Sequence, residues 1–251
     1  MFSFIGHLFS VAYNGVFYRP LYNGLVFLIG FIPHGDVGAA IILFTILIRF
    51  VLYPLSKKSL ESQRKMKELG PQMEQIKIDF KDNKDEQAKR TLALYKENKI
   101  NPFSGILFMF IQLPIVIALY QVFRGDLSKA MIDLNLLYSF IHTPSVINLH
   151  FLGFLDITHT KNIVLALLAA ASQFFQAKYT LSATTPSKVP SDPNKKASFQ
   201  DEFSKGMSLQ MKYMLPAMIG IFAYGFSGAV TLYWITNNLF SIVQELLIKK
   251  K

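Results

Sequence analysis

Arg49 is the residue in this chain whose position most demands a chemical explanation. It sits in the run Val37 to Leu55, which is otherwise apolar and long enough to cross a bilayer. A permanently charged guanidinium at that depth costs about 2.5–3.5 kcal/mol on insertion scales. No acidic residue within the run can neutralise it. A chain that carries such a cost uses the charge, facing a water-filled cavity or binding something negative. Three polar stripes bear on which. On a continuous helix Thr45, Arg49, Tyr53 and Ser56 share one face, at i, i+4, i+8 and i+11. Ser172, Gln173, Gln176 and Thr180 cluster in a second apolar segment. Thr231, Trp234, Asn238 and Ser241 do so in a third, with Asn237 adjacent. Polar groups in hydrocarbon must be satisfied. For Gln112, just before Pro114, and for Asn237 the favoured reading is interhelical hydrogen bonding, at about 0.6 kcal/mol per bond. For Arg49 the bland reading is snorkelling or pairing with backbone carbonyls. Convergence of the three stripes favours a hydrated groove with Arg49 as its positive charge.

Other chemistry is poorly supplied. The chain has no cysteine, which excludes disulfides, thiolate metal sites, Cys nucleophiles and a lipid-modified Cys. Metalloprotease, serine-hydrolase, P-loop and dinucleotide-binding motifs are missing, so neither an enzyme nor a cofactor site is expected. The spans hold almost no acid; Glu245, at the inner end of the last, is expected to snorkel. Proton- or sodium-coupled transport usually needs a buried carboxylate. The histidines at 7, 34, 142, 150 and 159 are scattered, and a metal site from His150 and His159 is disfavoured.

The elements that must position these residues are membrane helices. Hydrophobic residues make up 51% of the chain and charged ones only 17%, against about 25% in soluble domains. Apolar runs of about 20 residues recur. Five spans are predicted, at about 37–56, 103–123, 162–181, 208–225 and 229–247, the last two joined by a tight turn at Gly225 to Gly228. Segment 1–36 is apolar, aromatic-rich and broken by Gly, Asn and Pro, which suits an interfacial amphipathic helix on the outer side. An additional span over about 15–32 is the rival reading. No signal peptide is expected at Met1 to Leu8. Segment 182–206 reads as a Pro-, Ser- and Lys-rich flexible loop.

Charge sets the orientation. Segment 57–101 carries 12 Lys and Arg, segment 182–206 four, and the tail Lys249–Lys251 three, against one in 1–36 and three in 124–161. Five alternating spans then put the N-terminus outside and every basic segment in the cytoplasm. The net charge of +10 reads as lysines near anionic lipid; DNA is not an expected partner. In this orientation Arg49, Tyr53, Gln173, Gln176 and Asn238 all fall in the inner halves of their spans. Their groove opens to the cytoplasm and is sealed outside, which suits reception of a segment rather than a through-channel. In 56–80, Met66, Leu69, Met73, Ile76 and Phe80 fall at heptad spacing, and Ala88, Leu92 and Tyr95 continue a second stripe beyond a turn at Asp82 to Asp85. Segment 57–101 is therefore an antiparallel helical hairpin, read as a mobile arm.

These residues resemble the YidC/Oxa/Albino membrane protein insertase family. The matching stretches are Ala40 to Ser56, Lys65 to Pro71, Leu94 to Glu97 with Asn101 to Gly105, Gln112 to Pro114 with Ala118 to Tyr120, Gln173 to Gln176, and Leu232 to Leu239 with Gln244. In order and spacing they cover about residues 15–248. The resemblance implies an all-α integral membrane protein, a five-transmembrane-helix bundle with a cytoplasmic hairpin and an outer interfacial helix. It implies that Arg49 is the groove arginine, and that Thr45, Gln173 and Trp234 line the groove and touch the passing substrate. It implies nascent membrane proteins and lipids as partners, with the Sec translocon and the ribosome as further candidates; the short basic tail weakens tail-mediated ribosome docking. The expected form is the short one, without the large outer domain or the lipid-anchoring Cys of some members. The expected function is insertion and chaperoning of membrane proteins at the bacterial plasma membrane, without ATP. A small-anion transporter or channel using Arg49 is the alternative; the lack of an internal repeat and of coupling carboxylates argues against it.

Overall fold

The computed structural model describes residues 7, 10–124, 132–184 and 210–249. Helix α1 (Arg19–Phe31) is entered through a wider π-helical segment, Asn14–Tyr18, with Pro20 in its first turn, where a missing N–H is tolerated. Tyr22, Leu25, Val26 and Ile29 form its buried face. Helix α2 (Val37–Val51) starts at Asp36, whose Oδ1 accepts from the Ala39 amide at 3.0 Å. Helix α3 (Tyr53–Glu68) follows α2 after a bend of 65° at Leu52. The predicted continuous helix over 37–56 is therefore corrected. Pro54 has no N–H to give and its ring crowds the carbonyl four residues back, which breaks the helix just ahead of it.

A second break has the same origin. The stripe from Met66 to Phe80 is not one helix: α3 ends at Leu69, and α4 (Gly70–Asp79) begins with Gly70-Pro71. Helix α5 (Lys84–Glu97) is capped by Asn83, whose side chain accepts from the Glu86 amide at 3.0 Å. The two arms meet where the Tyr95 hydroxyl reaches the Met73 sulfur at 3.1 Å, and Arg90 sits over the Phe80 ring near the tip. Met73, Ile76 and Phe80 are half-buried as their spacing predicts, whereas Ala88 and Leu92 are exposed; the half-buried face of α5 runs through Gln87, Thr91, Leu94 and Tyr95.

Helix α6 (Ser104–Arg124), a short hairpin of β1 (His150–Phe151) and β2 (Leu155–Asp156), α7 (Ile163–Thr184), α8 (Leu215–Gly225) and α9 (Gly228–Lys249) complete the described chain. The expected flexible loop at 182–206 lies outside the described residues beyond Thr184, as do the start of the fourth predicted span and Lys250 and Lys251 of the tail. Helices α6, α7 and α9, of 21, 22 and 22 residues, reach about 31–33 Å at 1.5 Å per residue, close to the thickness of a bilayer's hydrocarbon core. Among the described residues no single helix is both long and apolar enough to cross a membrane; the bent pair α2–α3 is, taken together. In α7 and α9 the shortfall lies in the polar stripes, since their outer faces expose Leu167, Leu168, Leu239 and Val243.

The bundle has an apolar end and a polar end. At the end where α2 begins, Leu25, Val26, Ile29, Val37, Ile41 and Leu119 pack with residues of α9 into one core. A smaller cluster of Ala166, Ala169, Ile219 and Ala223 lets α7 and α8 approach closely. The segment 132–157 covers the apolar end. Asn23 donates to Leu136 O and accepts from the Tyr138 amide, Arg19 donates to Leu136 O and Leu137 O, and Asp36 Oδ2 accepts from the Leu152 amide. Asn23 and Arg19, which read in the sequence as interruptions of an apolar run, are thus the clamp on this cover. Gly35 is forced by the same cover. Its φ is +62°, and a Cβ there would lie 2.1 Å from Val146 O. We expect Gly35→Ala to cost about 1–3 kcal/mol and to lower the thermal midpoint in detergent more than Gly153→Ala, where φ is also positive but a Cβ meets nothing within 4 Å.

Candidate functional site

Arg49 projects from the last turn of α2 toward α9 and is 5% exposed. Its Nε donates to Asn237 Oδ1 at 2.7 Å. Its Nη2 donates to Asn237 O at 3.2 Å and to Ser241 Oγ at 2.7 Å. The guanidinium carbon lies 5.9 Å from the Phe240 ring centre. These three acceptors are uncharged. Gln112 of α6 joins them, donating to the Tyr233 hydroxyl and, at 3.5 Å, to Asn237 Oδ1. Side chains of α2, α6 and α9 therefore meet around one cation.

A second polar set lies between α7 and α9. Asn238 donates to Ser172 Oγ and to Gln173 Oε1, both at 3.1 Å. Gln173 donates to Gln176 Oε1 at 3.0 Å, and Gln176 to Thr180 Oγ1 at 3.3 Å. Asn237 and Asn238 are neighbours in sequence and turn about 100° apart on a helix of 3.6 residues per turn. That rotation sends one to Arg49 and the other to α7.

The predicted residues are thus divided rather than gathered. Gln173, Gln176 and Asn238 form one hydrogen-bonded set, while Arg49 belongs to the other. Thr45 is buried and its hydroxyl donates to Ile41 O at 2.6 Å, within its own helix. Tyr53 lies beyond the bend, half-buried at the start of α3, so the assumed straight stripe with Thr45 and Arg49 does not hold there. Trp234 is half-buried against the small cluster between α7 and α8. Asn237, read from the sequence as an interhelical hydrogen-bonding residue, is one: its side-chain oxygen accepts from Arg49 of α2 and Gln112 of α6. Its signal was present: Tyr233, Asn237 and Ser241 recur at intervals of four, one face of a helix. Glu245 continues that face and is 5% exposed, so the expected snorkelling is corrected to burial.

At the polar end α3 is fastened to the end of α9. Gln244 donates to Ser56 Oγ at 2.6 Å and Arg64 donates to Ile248 O at 2.9 Å. At the opposite end His150 and His159 do meet, around Asp156, with His159 Nδ1 at 2.8 Å and His150 Nε2 at 3.9 Å from Oδ2. Burial pushes the Asp156 carboxyl up, but hydrogen bonds from Thr158 and the neighbouring His159 outweigh it and hold it below its ordinary value. Among the described residues no group of three or more His, Asp or Glu is placed to hold a metal ion.

A buried cation beside a polar helix seam is found here in a chain with clear relatives among known proteins. The family model described as 60Kd inner membrane protein matches residues 29–251. The chain belongs to the 60Kd inner membrane protein family. This is the YidC/Oxa lineage to which the sequence motifs pointed. The membrane protein insertase YidC of Francisella tularensis subsp. novicida (strain U112) is 33% identical over 216 residues, 86% of this chain and 33% of the relative. Those of subsp. holarctica (strain LVS) and subsp. tularensis (strain SCHU S4 / Schu 4) match equally. The chain spans about a third of the length of these relatives. A crystal structure of an active YidC insertase with its first transmembrane domain resolved superposes with a TM-score of 0.55 at 24% identity, over 92% of this chain and 45% of that one. The fold is thus shared with this family member, and the largely helical, membrane-protein character expected from the sequence stands. Within this 60Kd inner membrane protein fold, Asn238→Leu removes two hydrogen bonds between α7 and α9. We expect a loss of about 1 kcal/mol, at about 0.6 kcal/mol per intramembrane bond, read as a lower thermal midpoint in detergent.

Proposed function

We propose that the chain is a membrane protein insertase and chaperone. It receives short hydrophilic segments of nascent membrane proteins in a polar groove open to the cytoplasm and releases their apolar segments sideways into lipid. The N-terminus lies outside and the C-terminus inside the bacterial plasma membrane. Residues 57–101 form the cytoplasmic arm that meets substrates.

The observation that carries this reading is the Arg49 guanidinium, buried and bonded to Asn237 and Ser241 at the polar end of the bundle. An acidic tail or loop is drawn toward this charge, and attraction at reduced dielectric exceeds its value in water. The second polar set, Gln173, Gln176 and Asn238, supplies hydrogen-bonding partners for a hydrophilic segment along the adjoining seam. Thr45, Tyr53 and Trp234 flank the path. Polar walls over the inner half shorten the apolar barrier a segment must cross. Partition of the client's apolar segment into lipid supplies the driving force, with no nucleotide hydrolysed. The apolar core at the α2 entry end, with its cover of residues 132–157, seals the outer side. The Sec translocon and the ribosome are candidate partners of the same process.

Reconstitution of this protein alone into liposomes tests the reading. A single-span client with an acidic N-terminal tail is expected to become protected from external protease. Arg49→Ala is expected to reduce that protection about tenfold or more, equivalent to about 1.4 kcal/mol of lost attraction, and Arg49→Lys to retain most of it. Equal protection with all three chains would remove Arg49 from the mechanism, and no protection with any would remove autonomous insertion.

A further inference from the structure

We infer that the tip of the β1–β2 hairpin, Leu152 to Phe154, is a lipid-binding anchor seated in the headgroup layer at the α2 entry end of the bundle. The inference rests on the membrane reading above, and on its orientation only for naming this leaflet the outer one.

The hairpin is divided by chemistry along its length. Phe151 and Leu155 pair across the strands and pack inward on the main core. Phe151 lies so close to α2 that a Cβ on Gly38 would fall 2.5 Å from its ring. His150 and Asp156 pair at the base, with His159 beside them. Beyond Phe151 the chain turns through Leu152, Gly153 and Phe154, where Leu152 is 64% and Phe154 77% exposed. A turn that faces water ordinarily carries Asn, Asp, Ser or Gly. Here its two side chains are a leucine and a phenylalanine, and neither is charged.

The backbone holds them out at a cost. Leu152 has φ +55°, in the left-handed region that branched apolar residues avoid. Its amide donates to Asp36 Oδ2 at 2.9 Å, and the Gly153 amide closes the turn on His150 O. These bonds use the backbone alone, so glycine or asparagine would satisfy them with less strain. The apolar side chain is therefore explained by what it meets outside the protein.

Asp36 also fixes the level of the tip. Leu43 heads the exposed apolar stripe of α2 with Leu47 and Phe50, the face left for lipid hydrocarbon. At 1.5 Å per residue, Asp36 lies about 10 Å beyond Leu43 along the axis. Interfacial elements are buried about 5–10 Å into the boundary between headgroups and acyl chains. The tip thus falls in that layer, neither in the hydrocarbon centre nor free in water. Phe31, at the end of α1, and Phe140, in the cover, are exposed at the same end. The two tip side chains are too small a surface for a protein partner, since stable interfaces bury about 1,200 Å² or more. Lipid needs no such area.

The test uses the full chain in liposomes of phosphatidylcholine and phosphatidylglycerol, with tryptophan as the probe. The chain has one tryptophan, so Trp234→Phe gives a silent background. Phe154→Trp at the tip, His159→Trp at the base and Leu43→Trp on α2 are introduced into it one at a time; all three positions are exposed and accommodate the ring. Lipids brominated near the headgroup or deep in the acyl chains quench what they touch, and acrylamide on both sides quenches what is open to water. Phe154→Trp is expected to emit at shorter wavelength than His159→Trp, to be quenched most by the shallow bromines and to be shielded from acrylamide. Leu43→Trp is expected to be quenched most by deeper bromines. The inference is overturned if Phe154→Trp is as open to acrylamide as His159→Trp and escapes brominated lipid, or if deep bromines quench it best. If Leu43→Trp is quenched while Phe154→Trp is not, the anchor alone falls; if both escape, the membrane reading falls with it.

Discussion

A buried cation at the meeting of three helices is the constraint on which the rest of this structure depends. The Arg49 guanidinium is almost wholly removed from solvent, and it donates to an amide oxygen, a backbone carbonyl and a hydroxyl. A buried guanidinium is expensive in a low-dielectric setting, because its hydration is lost. It persists only where packing from several sides fixes the acceptors. Here α2 brings the donor, α9 the acceptors, and α6 braces the shared amide through Gln112.

The two ends of the bundle divide the work of holding that arrangement. The apolar end is closed by conventional core packing and by the clamp of Arg19, Asn23 and Asp36 on the segment that covers it. The polar end is held by discrete hydrogen bonds: Asn238 to α7, Gln244 to Ser56, and Arg64 to the Ile248 carbonyl near the end of α9. Packing is dense and hard to open, whereas single hydrogen bonds between helices are each worth about 0.6 kcal/mol and exchange readily. A bundle built this way yields at the polar end first. The bend at Leu52 adds to this, since it turns α3 away from the axis of α2 and joins the arm to α9 instead of extending it straight out.

Much of this was legible in the sequence, because the strongest signals are local. An arginine within an apolar run, polar residues at helical spacing and a charged amphipathic hairpin are read from one segment at a time. Membership of the insertase family was legible for the same reason, in short motifs kept in order. What the sequence reading missed depends on rotation and on breaks. Thr231, Trp234, Asn238 and Ser241 of α9 were read as one cluster, yet Asn238 bonds to α7 whereas Ser241 bonds to Arg49 of α2. Tyr53 was placed with Thr45 and Arg49 on a straight helix, although Pro54 carries the rule that breaks it. Glu245 was expected to snorkel because it lies close to a helix end, whereas it continues the Tyr233–Asn237–Ser241 face and is buried. Asn23 and Arg19 looked like helix interruptions because their partners, Leu136 to Tyr138, lie more than 100 residues away.

The central claim is that the charge of Arg49 draws an acidic segment into the seam beside α7. The most direct measurement places a photoreactive side chain at Gln176, half-buried in that seam, and follows its adduct with an acidic-tailed client during insertion. The account predicts an adduct in the otherwise native chain that is lost when Arg49 is replaced by Ala and persists when it is replaced by Lys. An adduct of equal yield in all three would contradict it.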